Sequence, residues 1–239
     1  MNDILELIGQ EQPDVVALQE VYDGHDAQLE PKFRSMDVLR AALRYPHEHF
    51  APGFLERTEF GKVEQGNAVL SRFPIIESHV TPGDVPYGER EDKPAYYEHT
   101  PRNLQRVALE LPDGGILQVF NTQGVWGLDG GDSKRRLSMA RAIVVEVVPY
   151  DRVILAGDFN VQERTRTIGL VEEHLVNIFK GERMTSFDMR NKTDPGYATA
   201  VVDMIFVSPS IRVLEKSIPQ NNVSDHQPMV VVLDIPSPK

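Results

Sequence analysis

The chain has 239 residues, a formal net charge of −11 at pH 7 and no cysteine. Without cysteine, disulfides and thiolate metal sites are excluded. The acidic balance argues against long, purely electrostatic contact with nucleic acid, which needs a basic surface. The same charge fits an acidic cleft that recruits a divalent cation, or simply a surface that keeps the protein soluble. The sequence has no apolar run near the roughly 18 residues of a membrane-spanning helix.

The amino terminus begins with an amphipathic helix. Ile4, Leu5, Leu7 and Ile8 form a helical stripe, and residues 12–14 end it. A signal peptide would have a basic start and a small-residue cleavage site, which this segment lacks. We therefore expect a soluble protein that is cytoplasmic by default. No repeat, low-complexity tract or linker interrupts the sequence, so we expect residues 1–239 to form a single domain and the protein to be a monomer.

The first half of the chain predicts mostly strands. Its predicted elements are, in order, a strand at residues 15–19, a helix at about 28–44, a short strand and a loop within 47–64, antiparallel strands at 66–71 and 75–80, and a long loop at 81–103. Glu20 stands at the carboxyl end of the first strand. A carboxylate there is costly unless it is paired, solvated or bound to a metal.

The second half of the chain alternates strands and helices. Its predicted elements are a hairpin of strands at residues 106–111 and 116–122, a helix capped by Asp132 or Ser133, a strand at 153–156, a helix at 168–179, and strands at 201–207, 211–217 and 229–233. The residues Pro112-Asp113-Gly114-Gly115 mark the hairpin turn. The mixture of elements predicts an α/β (α+β) fold.

The strand at residues 153–156 leads directly into polar residues. Gly157 ends the apolar run, and Asp158 and Asn160 follow two positions apart. Alternation along a strand can direct both side chains to one side of the strand's end, where ligands bind in open α/β sheets. Asp and Asn are also ordinary turn residues, so an Asx turn explains the same stretch. The interpretation as a ligand-binding site is strengthened because other strand ends in the chain also carry acidic residues or a histidine.

Several strands carry polar groups within them or at their ends. These residues are Glu20, Asn121, Asp158, Asn160, Asp203, Asp225 and His226. Magnesium and similar hard cations prefer carboxylate oxygens, and a histidine beside carboxylates can activate water. Carboxamides can stabilise phosphoryl oxygens without titrating. A zinc site fits poorly because no histidine pair has ligand spacing. These residue types fit hydrolysis of a phosphate ester.

The ordered motifs resemble the endonuclease/exonuclease/phosphatase, or DNase I-like, family. The matching segments are Leu18-Gln19-Glu20, Gly66-Asn67-Ala68, Ser71-Arg72-Phe73-Pro74, Asn121-Thr122, Gly157-Asp158-Phe159-Asn160, Val202-Asp203-Met204-Ile205-Phe206 and Ser224-Asp225-His226. No single motif is decisive, but the ordered set covers residues 4–235. The resemblance implies a four-layer α/β/β/α sandwich of two mixed β-sheets.

The resemblance also implies the metal site and the attacking water. Glu20 would bind the metal, Mg²⁺ or Mn²⁺, and Asp225 would be a second metal-linked carboxylate. Asp158 would position or activate the attacking water. Asn160 would contact the phosphate.

The remaining implied roles concern the histidine and the substrate. Asp203 would orient His226, which would contact the scissile phosphate or act as the base. Whether Asp158 or His226 is the base stays open at the level of sequence. Asn121 is a candidate for substrate binding, and Arg102, near the long loop, could contact phosphate or be a solvated arginine.

Two departures from the family pattern bear on activity. The family normally begins with a strand that carries a metal-binding Asn, and this chain begins with the helix that would follow that strand. The family usually has a histidine where this chain has Gln123. A glutamine can donate a hydrogen bond to a leaving group, but it cannot deliver a proton.

The sequence therefore predicts a divalent-metal-dependent phosphoesterase. Its substrate would be a phosphodiester, either a nucleic acid or a small molecule, or another small phosphoester. The alternative is a degenerate family member that binds a phosphorylated ligand or partner with little turnover. Gln123 and the missing first strand support this alternative, whereas the retained Asp158, Asn160, Asp203 and His226 argue against it.

Overall fold

The computed structural model describes residues 2–90, 94–220 and 222–237. Its α-helices are α1 (Asn2–Glu11), α2 (Ser35–Leu43), α3 (Lys134–Val147) and α4 (Arg166–Glu172). Its strands are β1 (Val15–Tyr22), β2 (His47–Thr58), β3 (Gly61–Ser71), β4 (Ile75–Pro82), β5 (Glu89–Arg90), β6 (Asn103–Glu110), β7 (Ile116–Gln123), β8 (Val153–Asp158), β9 (Val176–Asn177), β10 (Asp203–Val207), β11 (Arg212–Ser217) and β12 (Val230–Asp234). Short 3₁₀ helices occupy Pro31–Arg34, Pro94–His99 and Pro195–Thr199.

The smaller of the two large sheets has the strand order β1-β3-β2-β5. Strands β1 and β2 run antiparallel to β3, and β5 runs parallel to β2. Helices α1 and α2 cover its outer face, where Ile8, Met36 and Leu39 pack against Val16 and Leu70. Burial of these apolar side chains is what holds two short helices on the sheet.

The larger sheet has the strand order β4-β6-β7-β8-β10-β9. Strands β7 and β8 are parallel neighbours, and the other pairs described in this sheet are antiparallel. Helices α3 and α4 cover its outer face, where Ile143 and Ile168 pack against Phe120, Leu155 and Phe206. The predicted fold of two mixed sheets between helices is therefore confirmed.

The two sheets face each other across an apolar interior. Val69 of the smaller sheet packs there with Leu117 and Val119 of the larger one. In the described part of the chain, strands β11 and β12 pair only with each other, and Val213 and Leu233 join the same interior. Within the described residues, β1 pairs with β3 alone and β12 with β11 alone, so each has one edge without a strand partner.

Two of the predictions for the first half are wrong. Residues 47–64 form most of a long hairpin of β2 and β3 rather than a short strand and a loop. The many polar side chains in this segment obscure the alternation of apolar and polar residues that predicts a strand. Pairing between β2 and β3 stabilises strands that the local pattern does not predict. Strand β4 pairs with β6 of the other sheet and not with β3. The predicted loop at 81–103 contains β5 and a 3₁₀ helix, and its residues 91–93 lie outside the described residues.

Both longer helix predictions are too long. The α-helical part of 28–44 begins only at Ser35, after a 3₁₀ turn that starts at Pro31. Helix α4 ends at Glu172, and after a short turn Val176–Asn177 pair with β10 as β9. Ser133 caps α3, whereas Asp132 accepts from the backbone of Arg166 and Thr167 at the start of α4. No described helix has the length and apolar character needed to cross a membrane.

Candidate functional site

Strand register places three predicted site residues in one row. Gln123 of β7 lies opposite Asp158 of β8, and Asp158 lies opposite Asp203 of β10. All three side chains are buried. Alternation along the strands directs them to the face that carries Val119 and Ile205, toward the other sheet. The apolar interior between the sheets therefore ends at this row, whose side chains are one amide and two neighbouring carboxylates.

Asp158 forms the Asx turn that its sequence stretch predicts, and its role in ligand binding stays a prediction. Its Oδ1 accepts the Asn160 backbone N–H at 2.8 Å, which is an Asx turn. Burial raises the pKa of Asp158 to about 7, and the neighbouring charge of Asp203 adds to the effect. Gly157 permits this arrangement, since a Cβ there would lie 2.0 Å from the carbonyl oxygen of Thr122.

His226 is joined to the row through Asp203. Its Nδ1 lies 2.8 Å from Oδ2 of Asp203, which leaves Nε2 as the free ring nitrogen of this pair. The ring also packs on Phe187, with centroids 4.5 Å apart. Burial lowers the pKa of His226, but the Asp203 charge and hydrogen bond outweigh burial and raise it to about 10. Asp203 therefore holds one ring nitrogen of His226, and the catalytic roles that the family resemblance implies for the two residues stay predictions.

Asn160 is held beside Asp158 by a buried arginine that sequence reasoning missed. The φ of Asn160 is +53°, in the left-handed region, and its side-chain amide donates to Gly124 at 3.2 Å. The Asn160 carbonyl accepts from Arg136 Nη2 at 2.5 Å, and Arg136 is only 2% exposed. Arg136 lies on the buried face of α3 with Ala140 and Ile143. Its helical spacing from these apolar residues is a sequence signal that could have identified Arg136 as buried.

Glu20 reaches the site from the opposite sheet. A register shift between Leu18 and Val21 marks a bulge in β1, and Glu20 has a φ of +56° there. Bulges re-aim side chains and often occur beside active sites. Gln123 Nε2 donates to Glu20 Oε1, while Gln123 Oε1 accepts from Arg102 Nη1. Gln123 and Arg102 thus lie together beside Glu20.

Asn121 lies between the sheets. It is completely buried, and its Nδ2 donates to the Leu18 carbonyl at 2.9 Å and the Ala68 carbonyl at 3.1 Å. Its Oδ1 accepts from Gln19 Nε2 at 2.6 Å. These contacts tie β7 to the smaller sheet and use the amide within the protein. Substrate binding by Asn121 stays a prediction that these contacts do not support.

The two predicted metal ligands differ in their surroundings. Glu20 is exposed, and a single carboxylate with several waters is an ordinary Mg²⁺ site. Asp225 is instead paired with Lys192, whose Nζ lies 2.7 Å from Oδ2. Its pKa is lowered because this hydrogen bond and nearby positive charges outweigh burial, which raises it. The oxygen donors present fit a hard cation at Glu20 better than at Asp225.

A separate acidic group lies away from this site. Within the described residues, Asp23, His25 and Asp37 are the one set of three such side chains whose ligand atoms lie within 4.8 Å of one another. Arg40 already pairs with Asp23 at 2.7 Å, which neutralises part of that charge. Sequence analysis did not single out this group.

Comparison with known structures agrees with the fold. A chain from Beutenbergia cavernae, described as an endonuclease/exonuclease/phosphatase, is 20% identical with a TM-score of 0.75, over 97% of this chain and 65% of that one. The mannosyl-6-phosphatase of Bacteroides thetaiotaomicron is 20% identical with a TM-score of 0.67, over 97% and 89%. The human Nocturnin catalytic domain with bound sulfate is 18% identical with a TM-score of 0.70, over 98% and 85%. The present chain thus spans about two thirds of the Beutenbergia protein.

Sequence comparison identifies the family directly. No curated protein matches the chain. The model of the endonuclease/exonuclease/phosphatase family matches residues 1–226, which include every predicted site residue. The chain therefore belongs to the endonuclease/exonuclease/phosphatase family.

Proposed function

We propose that the chain hydrolyses a small phosphoester with Mg²⁺ or Mn²⁺ held at Glu20. The observation that carries the proposal is the buried row of Gln123, Asp158 and Asp203, with His226 bound to Asp203 at 2.8 Å. In this row Asp158 is a proton acceptor, and Asp203 orients the imidazole of His226. Gln123 connects the row to the exposed carboxylate of Glu20. Membership of a generally hydrolytic family supports the same function.

Asp158 is the proton acceptor in this proposal. With its pKa raised to about 7, it can take a proton from water near neutral pH. The water oxygen attacks phosphorus as the ester P–O bond breaks, the proton passes to Asp158, and the leaving oxygen takes a proton from solvent. His226 Nε2 and the Asn160 amide contact the phosphoryl oxygens, while Asp203 holds the imidazole by Nδ1.

The bound cation would be held by Glu20 and by oxygens of the substrate. When bound, it would supply electrostatic stabilisation of the phosphoryl charge. Gln123 keeps the Glu20 carboxylate in place from the opposite sheet, and Arg102 in turn donates to Gln123. Gln123 also polarises the leaving oxygen in this proposal, without delivering a proton.

A small substrate fits this chain better than a long polyanion. The net charge of −11 opposes an extended nucleic-acid contact. Among the structural neighbours, one is described as a mannosyl-6-phosphatase, which acts on a small phosphate ester. The match to that protein extends over 97% of this chain.

The test is hydrolysis of nitrophenyl phosphate esters with Mg²⁺, with Mn²⁺ and with a chelator. Asp158→Asn and His226→Ala should each reduce kcat by at least about 10²-fold, and the double variant should lose little more because both groups act on one step. Asp113→Asn is the matched control, because Asp113 lies in the β6–β7 turn at the opposite end of β7 from Gln123. Turnover that survives chelation, or near-normal kcat in either site variant, would contradict the proposal.

Gln123 favours one second candidate, a phosphoester-binding protein with little turnover. Its amide is already engaged by Glu20 and Arg102, and it cannot act as an acid. Binding of inorganic phosphate with Mg²⁺, in the absence of any hydrolysis of nitrophenyl or alkyl esters, would support this candidate. Hydrolysis confined to nitrophenyl esters, which leave without a proton, would support a weak enzyme instead.

A further inference from the structure

Lys192 is a fixed cation at the edge of the candidate site. Its Nζ donates to Asp225 Oδ2 at 2.7 Å and lies 5.1 Å from the centre of the Tyr197 ring and 5.7 Å from that of Phe187. Its backbone N–H donates to the Asp188 carbonyl at 2.9 Å. The side chain is 31% exposed, so the ammonium is held but still reaches solvent. A lysine held by a carboxylate and two rings is ordered before any ligand arrives.

The residues that hold Lys192 also build the His226 side of the site. Phe187 forms an isolated β-bridge with His226, and the two rings pack together. Asp188 N–H donates to the Asp225 carbonyl at 2.9 Å, and Asp225 precedes His226 in the chain. Burial lowers the pKa of Lys192, but Asp225 and more distant groups, including Glu20, outweigh it and raise the pKa. The ammonium therefore lies against residues that also contact or adjoin His226.

Carboxylates dominate the rest of this site. Glu20, Asp158, Asp203 and Asp225 would all repel a phosphate if they stood alone. A phosphodiester carries one negative charge, whereas a phosphomonoester carries about −1.5 to −2 near pH 7. Arg102 is engaged with Gln123 beside Glu20, so the second charge of a monoester needs a further cation on the His226 side of the site. Lys192 has three N–H donors, and one of them serves Asp225.

We infer that Lys192 binds the non-bridging oxygens of a phosphomonoester, so that the site prefers terminal phosphates to phosphodiesters. This inference rests on the proposed function for its chemistry, but it concerns which phosphate binds. Asp225 then acts by aiming the ammonium and not as a metal ligand. Lysine is a common phosphate-binding residue, and it acts as a compact charge without a fixed geometry.

The chain provides a matched control lysine. Lys216 is 32% exposed, pairs with Glu182 and lies 5.5 Å from the centre of the Phe179 ring. Its Nζ also donates to the Ile178 carbonyl at 2.8 Å, and none of these partners is a predicted site residue. Lys216→Gln therefore removes the same charge from a similar setting outside the site.

The experiment compares inorganic phosphate with dimethyl phosphate, a singly charged diester, as ligands. Calorimetry at pH 8 with Mg²⁺ measures the Kd of each for the wild type, Lys192→Gln and Lys216→Gln. Lys192→Gln should weaken phosphate binding by about tenfold or more, as expected for loss of a charge-assisted hydrogen bond, and dimethyl phosphate binding by less than about threefold. Lys216→Gln should change neither Kd. Lys192→Met, which keeps the packing on the rings, replaces the Gln variant if thermal melting shows that variant to be unfolded.

Kinetics separate this inference from the proposed function. In an active protein, Lys192→Gln should lower kcat/KM for p-nitrophenyl phosphate about tenfold more than for bis(p-nitrophenyl) phosphate. If the wild type hydrolyses neither ester but shows the expected Kd pattern, the proposed function fails and the inference stands. Equal effects on both ligands, no effect, the same effect from Lys216→Gln, or a wild type that does not bind phosphate more tightly than dimethyl phosphate would overturn the inference.

Discussion

Substituting Asp158 should stabilise the protein as it removes activity. A carboxylate that is buried beside Asp203 is costly to ionise in the folded state, and its pKa is raised to about 7. In the unfolded chain the same group ionises near its ordinary value of 3.8. The folded state therefore loses stability as pH rises from about 4 through 7. Asp158→Asn removes this loss, because an amide does not titrate.

The magnitude follows from the pKa difference and the linkage relation. Between pH 5 and pH 8 the unfolded aspartate is almost fully ionised, whereas the folded one gives up its proton only near pH 7. Integrated over that interval at about 1.36 kcal/mol per pH unit, the wild type loses roughly 2–3 kcal/mol that Asp158→Asn does not lose. For a chain of 239 residues this corresponds to about 5–10 °C in Tm. Taking the change between two pH values cancels any constant cost of burying the amide.

Urea unfolding of wild type and variant at pH 5 and pH 8 measures this difference directly. Asp132→Asn is the control, because hydrogen bonds from Thr167 lower the pKa of exposed Asp132, so its effect should be the same at both pH values. A stability difference between Asp158→Asn and wild type that stays constant from pH 5 to pH 8 would refute the reasoning. It would mean that Asp158 ionises normally in the folded protein and is not a base tuned to neutral pH.

Two further predictions concern residues that hold others in place. Arg136→Met should lower the free energy of unfolding by about 3–5 kcal/mol in urea, because the Asn160 carbonyl and other buried acceptors lose a charged donor. A loss below about 1 kcal/mol would mean that water replaces the guanidinium at no cost. Gln123→Ala should weaken Mg²⁺ binding, measured by calorimetry, by about three- to tenfold, because Glu20 loses a hydrogen-bond donor worth about 1 kcal/mol. Unchanged Mg²⁺ affinity would show that the hydrogen bond from Gln123 does not contribute to metal binding by Glu20.

The sequence predicted those parts of the site whose placement depends on local pattern. The strand predicted at residues 153–156 forms and continues through Gly157 to Asp158, whereas the strand predicted at 201–207 begins only at Asp203. Ser133 caps α3 because a short hydroxyl side chain can reach the free N–H groups of a first turn. The family resemblance then supplied the two-sheet arrangement, which periodicity alone does not determine.

Other parts depend on contacts between distant segments. Glu20 and Gln123 are 103 residues apart, and their hydrogen bond depends on a bulge that the apolar pattern of β1 does not indicate. Lys192 lies in a segment without regular periodicity, and the role proposed for it follows from its position beside Asp225 and the rings of Phe187 and Tyr197. The long hairpin of β2 and β3 was missed for a similar reason, since a mostly polar strand is stabilised by its neighbour.

The candidate site draws its parts from two separate sheets. Glu20 comes from one sheet and Asp158 from the other, so the filling of the interior sets the distance between them. Val69 and Leu117 belong to that interior, and interiors are packed too closely to absorb a changed volume without movement. Apolar substitutions at such positions therefore adjust the geometry of the site while leaving each of its polar groups intact. Selection or laboratory evolution can retune this protein through residues that never meet the substrate.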